Sequence, residues 1–571
     1  MGFLVPDFPD VEPTRWQAAS RAEKMRVMAV HWAEHGFGTP WGVFPLYLIK
    51  CAVYLAAAAT VIGLTPGFDG VGHLADWWAQ PLAYQKFIVW TLLWEIIGLG
   101  CGSGPLTLRF LPPIGGILYF LRPGTIRLAP WPGKVPFTRG DRRTVADVAL
   151  YAVVLGSGGW ALSSSGTDAG LLDVRTVIPM LVALGLLGLR DKTVFLAARG
   201  EHYALAVVMF FFPATDQIIG WKLIMLALWW GAATSKLNHH FPFVVSVMMS
   251  NSPVMRLKWL KRKMYRDFPH DLRASRLPFT LAHLGTVIEY LIPAYLVFAG
   301  HGGTLTWIAI IAMIVFHLHI VSTVPMGVPL EWNVFFIVSI PLLFGQHAAV
   351  SVFDLDSPLP AVILLLSLVV VPMIGNLEPQ WISFLPSMRY YAGNWPTSTW
   401  LFRGGAQDKI EQHVTKSSAV VTTQLARLYG PHGMDLMLTK GMTWRAMHPH
   451  GRALNTLVER AVDDLADYTV LDGEAVAGVT VGWNFGDGHL HNEQLVAALQ
   501  RRCGFAPGEL RVVVLESQPI HRQRQHYRIV DAATGLIEQG YVQVADMIAR
   551  QPWPDAADPV PVQPIGTEVA R

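Results

Sequence analysis

Ten apolar stretches run through residues 41–377, and the loops between them sort by charge. Between Pro105 and Arg143 lie Arg109, Arg122, Arg127, Lys134, Arg139, Arg142 and Arg143, and between Asn251 and Leu277 lie Arg256, Lys258, Lys261, Arg262, Lys263, Arg266, Arg273 and Arg276. Alternate loops are marked by acids instead: Asp69 and Asp76, Asp168 and Asp173, Asp354 and Asp356. Lys and Arg are retained on the cytosolic side because moving them across a bilayer is disfavoured. The pattern predicts a multi-pass protein of the bacterial cytoplasmic membrane with both termini cytosolic.

Composition agrees. Charged residues make up 15% of the chain, against about 25% in an ordinary soluble domain. A net charge of +3, with the bases gathered beside the membrane, excludes a nucleic-acid partner and leaves membrane lipids as the expected one. Cys51, Cys101 and Cys503 are too few and too scattered for a disulfide framework or a zinc site.

The expected fold is an all-α polytopic domain of about ten transmembrane helices followed by a small C-terminal cytosolic α+β or α/β domain. Residues 1–40 lack a basic start with an apolar core, so they predict an interfacial segment on the inner leaflet rather than a cleavable signal. Residues 41–377 form the transmembrane domain. Its expected spans are Trp41–Leu64, Phe87–Cys101, Val145–Ser163, Val174–Leu189, Tyr203–Phe212, Ile218–Ala233, Pro278–Phe298, Leu305–Ile320, Trp332–Phe344 and Pro360–Ile374. Lys50 is expected to snorkel from the first. Leu111–Phe120, with its prolines and glycines, predicts a re-entrant turn. Residues 378–405 read as a linker, 406–550 as the soluble domain and 551–571 as a disordered tail. Within the soluble domain, helices are expected over Asp408–Tyr429, Ala453–Tyr468 and Asn492–Cys503. Strands are expected over Ala475–Trp483 and Leu510–Leu515, with a hairpin from His526–Val530 to Leu536–Val544.

Ionisable groups inside a bilayer cost about 2.5–3.5 kcal/mol each at mid-helix, which makes them functional candidates. Glu95 and Glu289 lie deep in expected spans. Lys236, His239 and His240 close the sixth span, His283 begins the seventh, His317 and His319 lie late in the eighth, and Glu331 opens the ninth. The topology brings them to one depth near the inner leaflet. The rival explanation is snorkelling of His and Lys at span ends. His317 and His319 are about 200° apart around a helix, so a regular helix cannot turn both to one site. No metal site is expected in the spans, which hold neither His-x-x-x-His nor Glu-x-x-His. Gly482–Asn492 is a Gly-rich turn without the Lys-Ser/Thr of a P-loop, so Asp487 or Asn492 as a helix cap is the expected role there. His489 and His491 with Asp487, and His448 with His450, are weaker metal candidates. The residues specify no cofactor and no oligomeric state.

The whole chain resembles an uncharacterised family of bacterial, largely actinobacterial, polytopic membrane proteins, a resemblance that implies no activity. Thr234-Ser235-Lys236-Leu237-Asn238, a basic loop, and then Phe316-His317 resemble the transmembrane part of vitamin K-dependent carboxylases and their bacterial relatives. That resemblance implies Lys236 as a base that deprotonates a quinol and His317 as a pocket residue. Two functions are expected from this. One is a membrane-embedded enzyme acting on a quinone, isoprenoid or acyl lipid, with Lys236 as base, His240, His283 and His317 as proton or orientation partners, and Glu95 or Glu289 as counter-charge. The other is a carrier or assembly subunit for envelope lipids.

Overall fold

The structure is a computed structural model that describes residues 3–100, 115–323, 329–390 and 392–565. Cys101, Arg109 and the start of the expected re-entrant turn lie outside these; Gly115–Phe120 is a short helix. In the N-terminal region α1 spans Arg21–His35. The helical layer that follows contains α2 (Val43–Gly63), α3 (Pro81–Ile96), α4 (Val145–Ser163), α5 (Ala214–Ser235), α6 (Phe241–Asn251), α7 (Arg276–Phe298), α8 (Thr304–Thr323), α9 (Leu330–Ile340) and α10 (Pro358–Leu377).

Among the described residues six helices are long and apolar enough to cross a membrane: α2, α4, α5, α7, α8 and α10. The expected count of about ten is not confirmed by length and composition. The other four stretches fall in helices of 16, 13, 6 and 11 residues. Apolar runs look alike whether they face lipid or protein. Pro81–Ile96 is the clearest case, being buried along nearly its whole length.

The acidic loops meet at one end of the layer. Lys86 Nζ donates to Thr65 Oγ1 (2.7 Å), Leu162 O (2.9 Å) and Ser164 O (2.6 Å). Lys222 donates to His347 O and Val350 O, and the Asp356 N–H to Asp216 Oδ1. The basic loops meet at the other end, against the C-terminal domain. Arg501 and Arg502 pair with Asp141, and Lys192 donates to His489 O at 2.7 Å. The stretch expected to cross at Tyr203–Phe212 links these ends by a short helix and a 3-10 turn. Arg143 and Arg127 are not solvated as a basic face would be; they are buried on Asp191 and Asp147. Lys50 does not snorkel either: it pairs with buried Glu331 at 2.8 Å.

In the basic loop, β1 (Tyr265–Asp267) and β2 (Asp271–Ala274) form a small hairpin. The C-terminal domain is a six-stranded antiparallel sheet with order β4-β3-β5-β6-β7-β8, made of β3 (Thr397–Arg403), β4 (Tyr468–Asp472), β5 (Leu510–Leu515), β6 (Arg524–Asp531), β7 (Gly535–Gln543) and β8 (Val562–Ile565). With helices α11 (Val421–Met447), α12 (Pro449–Ala461), α13 (Gly473–Val481) and α14 (Glu493–Cys503), it is α+β.

Three expectations change here. The linker holds β3, an interior strand of the sheet. The Ala475–Trp483 strand is helix α13: Asp472 caps its N-terminus, Gly482 ends it at positive φ, and all nine residues are buried, so the alternation that would have separated helix from strand is missing. Residues 562–565 of the expected tail pair with β7.

Period-two alternation gives the sheet two apolar faces. Leu401, Val513 and Leu515 pack on Leu454, Leu457 and Val458 of α12. Trp400, Phe402 and Val512 face the other way, into a core continuous with the membrane layer. The domain is therefore built onto the bundle. α1 joins this interface by burying Met25, Met28 and Trp32, with α11 packed beside it.

Candidate functional site

A cavity of about 440 Å³ lies where α5, α6, α7, α8 and α9 meet the C-terminal domain. Its walls are overwhelmingly apolar, from Leu228 and Trp229 on α5 to Ile288 on α7 and Phe336 on α9. Leu284, a wall residue, is half exposed on α7, one of the outer helices. The roof comes from beyond the membrane layer: Tyr390, Trp395, Trp444, Glu474, Asn484 and Phe485.

Lys236 caps the C-terminal end of α5 and ion-pairs with Glu289 of α7. Both line the cavity, and both are largely buried. The Lys236 ammonium also lies 5.4 Å from the Phe241 ring centroid and 5.7 Å from that of Phe316. Ring faces attract a cation, so pair and rings hold the head at the cavity wall.

His317 is fixed in one tautomer. Trp229 Nε1 donates to its Nε2 at 3.0 Å, and an indole N–H can only donate. The proton therefore sits on Nδ1, which donates to Asn333 Oδ1 at 2.9 Å. Asn333 is oriented in turn by donating to Pro329 O. Both ring nitrogens are occupied, so His317 orients the wall as a neutral ring.

The remaining sequence candidates separate. His240 is buried outside the cavity, with Nε2 3.2 Å from Gln518 Oε1. His283 is exposed on α7 and does not line the cavity. Glu331 pairs with Lys50, and the buried Glu95 carboxylate packs under Gly100. The predicted convergence therefore resolves into two places, with Lys236, Glu289, His317 and His319 at the cavity and Glu95 and Glu331 elsewhere.

The roof supplies groups that sequence reasoning missed. Asn484 is buried with neither amide atom hydrogen-bonded, and the indole N–H groups of Trp332 and Trp444 also lack partners. Such groups cost about 1–3 kcal/mol each when left unpaired. Burial raises the Glu474 carboxyl above its ordinary value despite Arg445, which donates to it at 2.9 Å. Behind the roof, burial lowers His448 to about 3, and its ring stacks on His450 at 5.6 Å. Asp487 and Asn492 are caps, as expected, accepting from the N–H groups of His489 and Gln494. The rings nearby are engaged separately, His489 with Glu516 and His491 with Ser398.

One family matches the chain, described as transmembrane protein of unknown function (DUF3556), over residues 1–565. No curated protein and no solved structure matches. The resemblance to carboxylases thus rests on its local motif alone.

Proposed function

The chain belongs to the DUF3556 family of transmembrane proteins, and on that premise we propose that it is a membrane-embedded enzyme doing acid–base chemistry on a lipid-phase substrate, a quinone, isoprenoid or acyl lipid, in the cavity beside Lys236. The observation that carries this reading is a buried Lys236–Glu289 pair in the wall of an otherwise apolar cavity of about 440 Å³. That volume falls among small-molecule pockets, roughly 300–1,000 Å³. Low polarity narrows the gap between an ion pair and its neutral form. A proton passed from Lys236 to Glu289 leaves a free amine, which can take a proton from an O–H or C–H acid of the substrate. Trp229 and the neutral ring of His317 position the substrate, while Asn484 and Trp444 offer partners to its polar end. In this reading the basic loops and the C-terminal domain face the cytosol of a bacterial cell.

A carrier for envelope lipids is the second reading. It is favoured by His317 being fully hydrogen-bonded and Lys236 being closed onto Glu289, an arrangement that holds a ligand without turnover. Mass spectrometry of lipids extracted from the protein in native-lipid nanodiscs separates the two. For the enzyme, Lys236→Ala retains a bound lipid but in unconverted form. For the carrier, it changes how much is bound and not its chemistry. Gly285→Trp serves as a block, because a side chain there meets open cavity. If wild type and Gly285→Trp carry the same lipids, neither reading stands.

A further inference from the structure

Among the described residues, one group of His and carboxylate side chains brings its ligand atoms together: Asp7, His31 and His35, with all three atoms within 4.8 Å of one another. It lies far from the cavity in sequence and does not line it. His31 and His35 are one turn apart on α1, their rings stacked at 4.5 Å. The segment before α1 delivers Asp7, whose N–H donates at 2.9 Å to the carbonyl of Gly38, just beyond the helix. Asp7 Oδ2 stands 2.8 Å from His35 Nδ1, and His31 Nδ1 is buried without a hydrogen bond.

We propose that Asp7, His31 and His35 form a binding site for a divalent first-row transition metal ion, zinc foremost. The donor set decides the class. Two imidazoles and one carboxylate suit zinc and its neighbours, whereas magnesium and calcium take oxygen ligands. Histidines at i and i+4 present their nitrogens from one helix face, and three protein ligands leave a fourth position open to solvent. The orphaned Nδ1 of His31 gains a partner only when something binds. Lys440 Nζ of α11 donates to the Asp7 backbone carbonyl.

Lys440 sits one turn before Trp444, so the site lies beside the helix that roofs the cavity, and the ion would tie the segment holding Asp7 to α1. The site stands independently of any reading of that cavity.

The test is zinc titration of full-length, tag-free protein in nanodiscs by calorimetry, with cobalt substitution followed by visible absorption. One ion per chain is expected, with cobalt bands more intense than those of the hydrated ion. His31→Ala and His35→Ala should each weaken binding at least tenfold, and His73→Ala, 60% exposed at the other end of the molecule, should not. Asp7→Asn keeps the side-chain shape and the Lys440 contact, and is also expected to weaken binding, which covers the case of a histidine variant that fails to fold. No uptake by wild type, or uptake unchanged in Asp7→Asn and in a folded histidine variant by circular dichroism, overturns the proposal.

Discussion

Lys236 and Glu289 are each other's counter-charge, and that makes them costly to separate. Removing one partner of a buried pair leaves an uncompensated charge, at about 3–5 kcal/mol, while replacing both with apolar groups is often near neutral. Glu289→Gln should therefore destabilise the protein by about that amount, and Lys236→Met with Glu289→Leu by far less. Denaturant titration in detergent over the double-mutant cycle measures it, and additive effects would mean the pair is solvated. A different carboxylate contributes to the acid sensitivity of the C-terminal domain. Burial by itself would raise Glu516, but His489 and Arg528 hold it down to about 2. Because this lies below the ordinary 4.5, the stabilisation is present above that value and is lost as pH falls towards 2. Glu516→Gln should flatten the loss of stability over that window, followed by thermal melts against pH. Lys236, Glu289 and His317 were legible in the sequence because an ionisable side chain in an apolar run stands out. Glu474, Asn484 and Trp444 were not, since nothing local shows that the fold returns them to the same cavity. His31 and His35 carry ligand spacing on their own helix, but Asp7 joins them only through the fold.

Helix α13 shows how element type is decided by what an element packs on. Gly473 opens it where a Cβ would collide with Ser398 Oγ on β3 and the His491 ring. Gly473→Ala should therefore cost about 1–3 kcal/mol through overpacking. Gly441, inside α11 with nothing within 4 Å of a built Cβ, is the contrast. Gly441→Ala should gain about 0.5–1 kcal/mol. Thermal melts of the two variants should move in opposite directions. Strands β5, β6 and β7 were legible because turn residues bracket them and their hydrophobic residues suit a sheet. Strand β3 was hidden behind Gly, Pro and Trp residues that read as a linker, and its burial on both faces removed the alternation that marks a half-exposed strand.

At the scale of the molecule, the charge pattern of the loops has a structural counterpart. Basic loops gather with the C-terminal domain at one end and acidic loops at the other. Lys258→Cys and Asp354→Cys should be labelled by an impermeant reagent from opposite sides of the membrane. Labelling of both from one side would contradict that arrangement. The span count was less legible, because α3 is as apolar as a lipid-facing helix but spends that character on protein neighbours. Strand β3 also bears on how the chain is made. It leaves the ribosome before either neighbour in the sheet, β4 or β5, has been synthesised. Until they arrive, a strand with two unpaired edges waits beside the bilayer, and such edges invite wrong partners. Slower synthesis between Arg403 and Leu515 therefore lengthens the time for which both edges stand open.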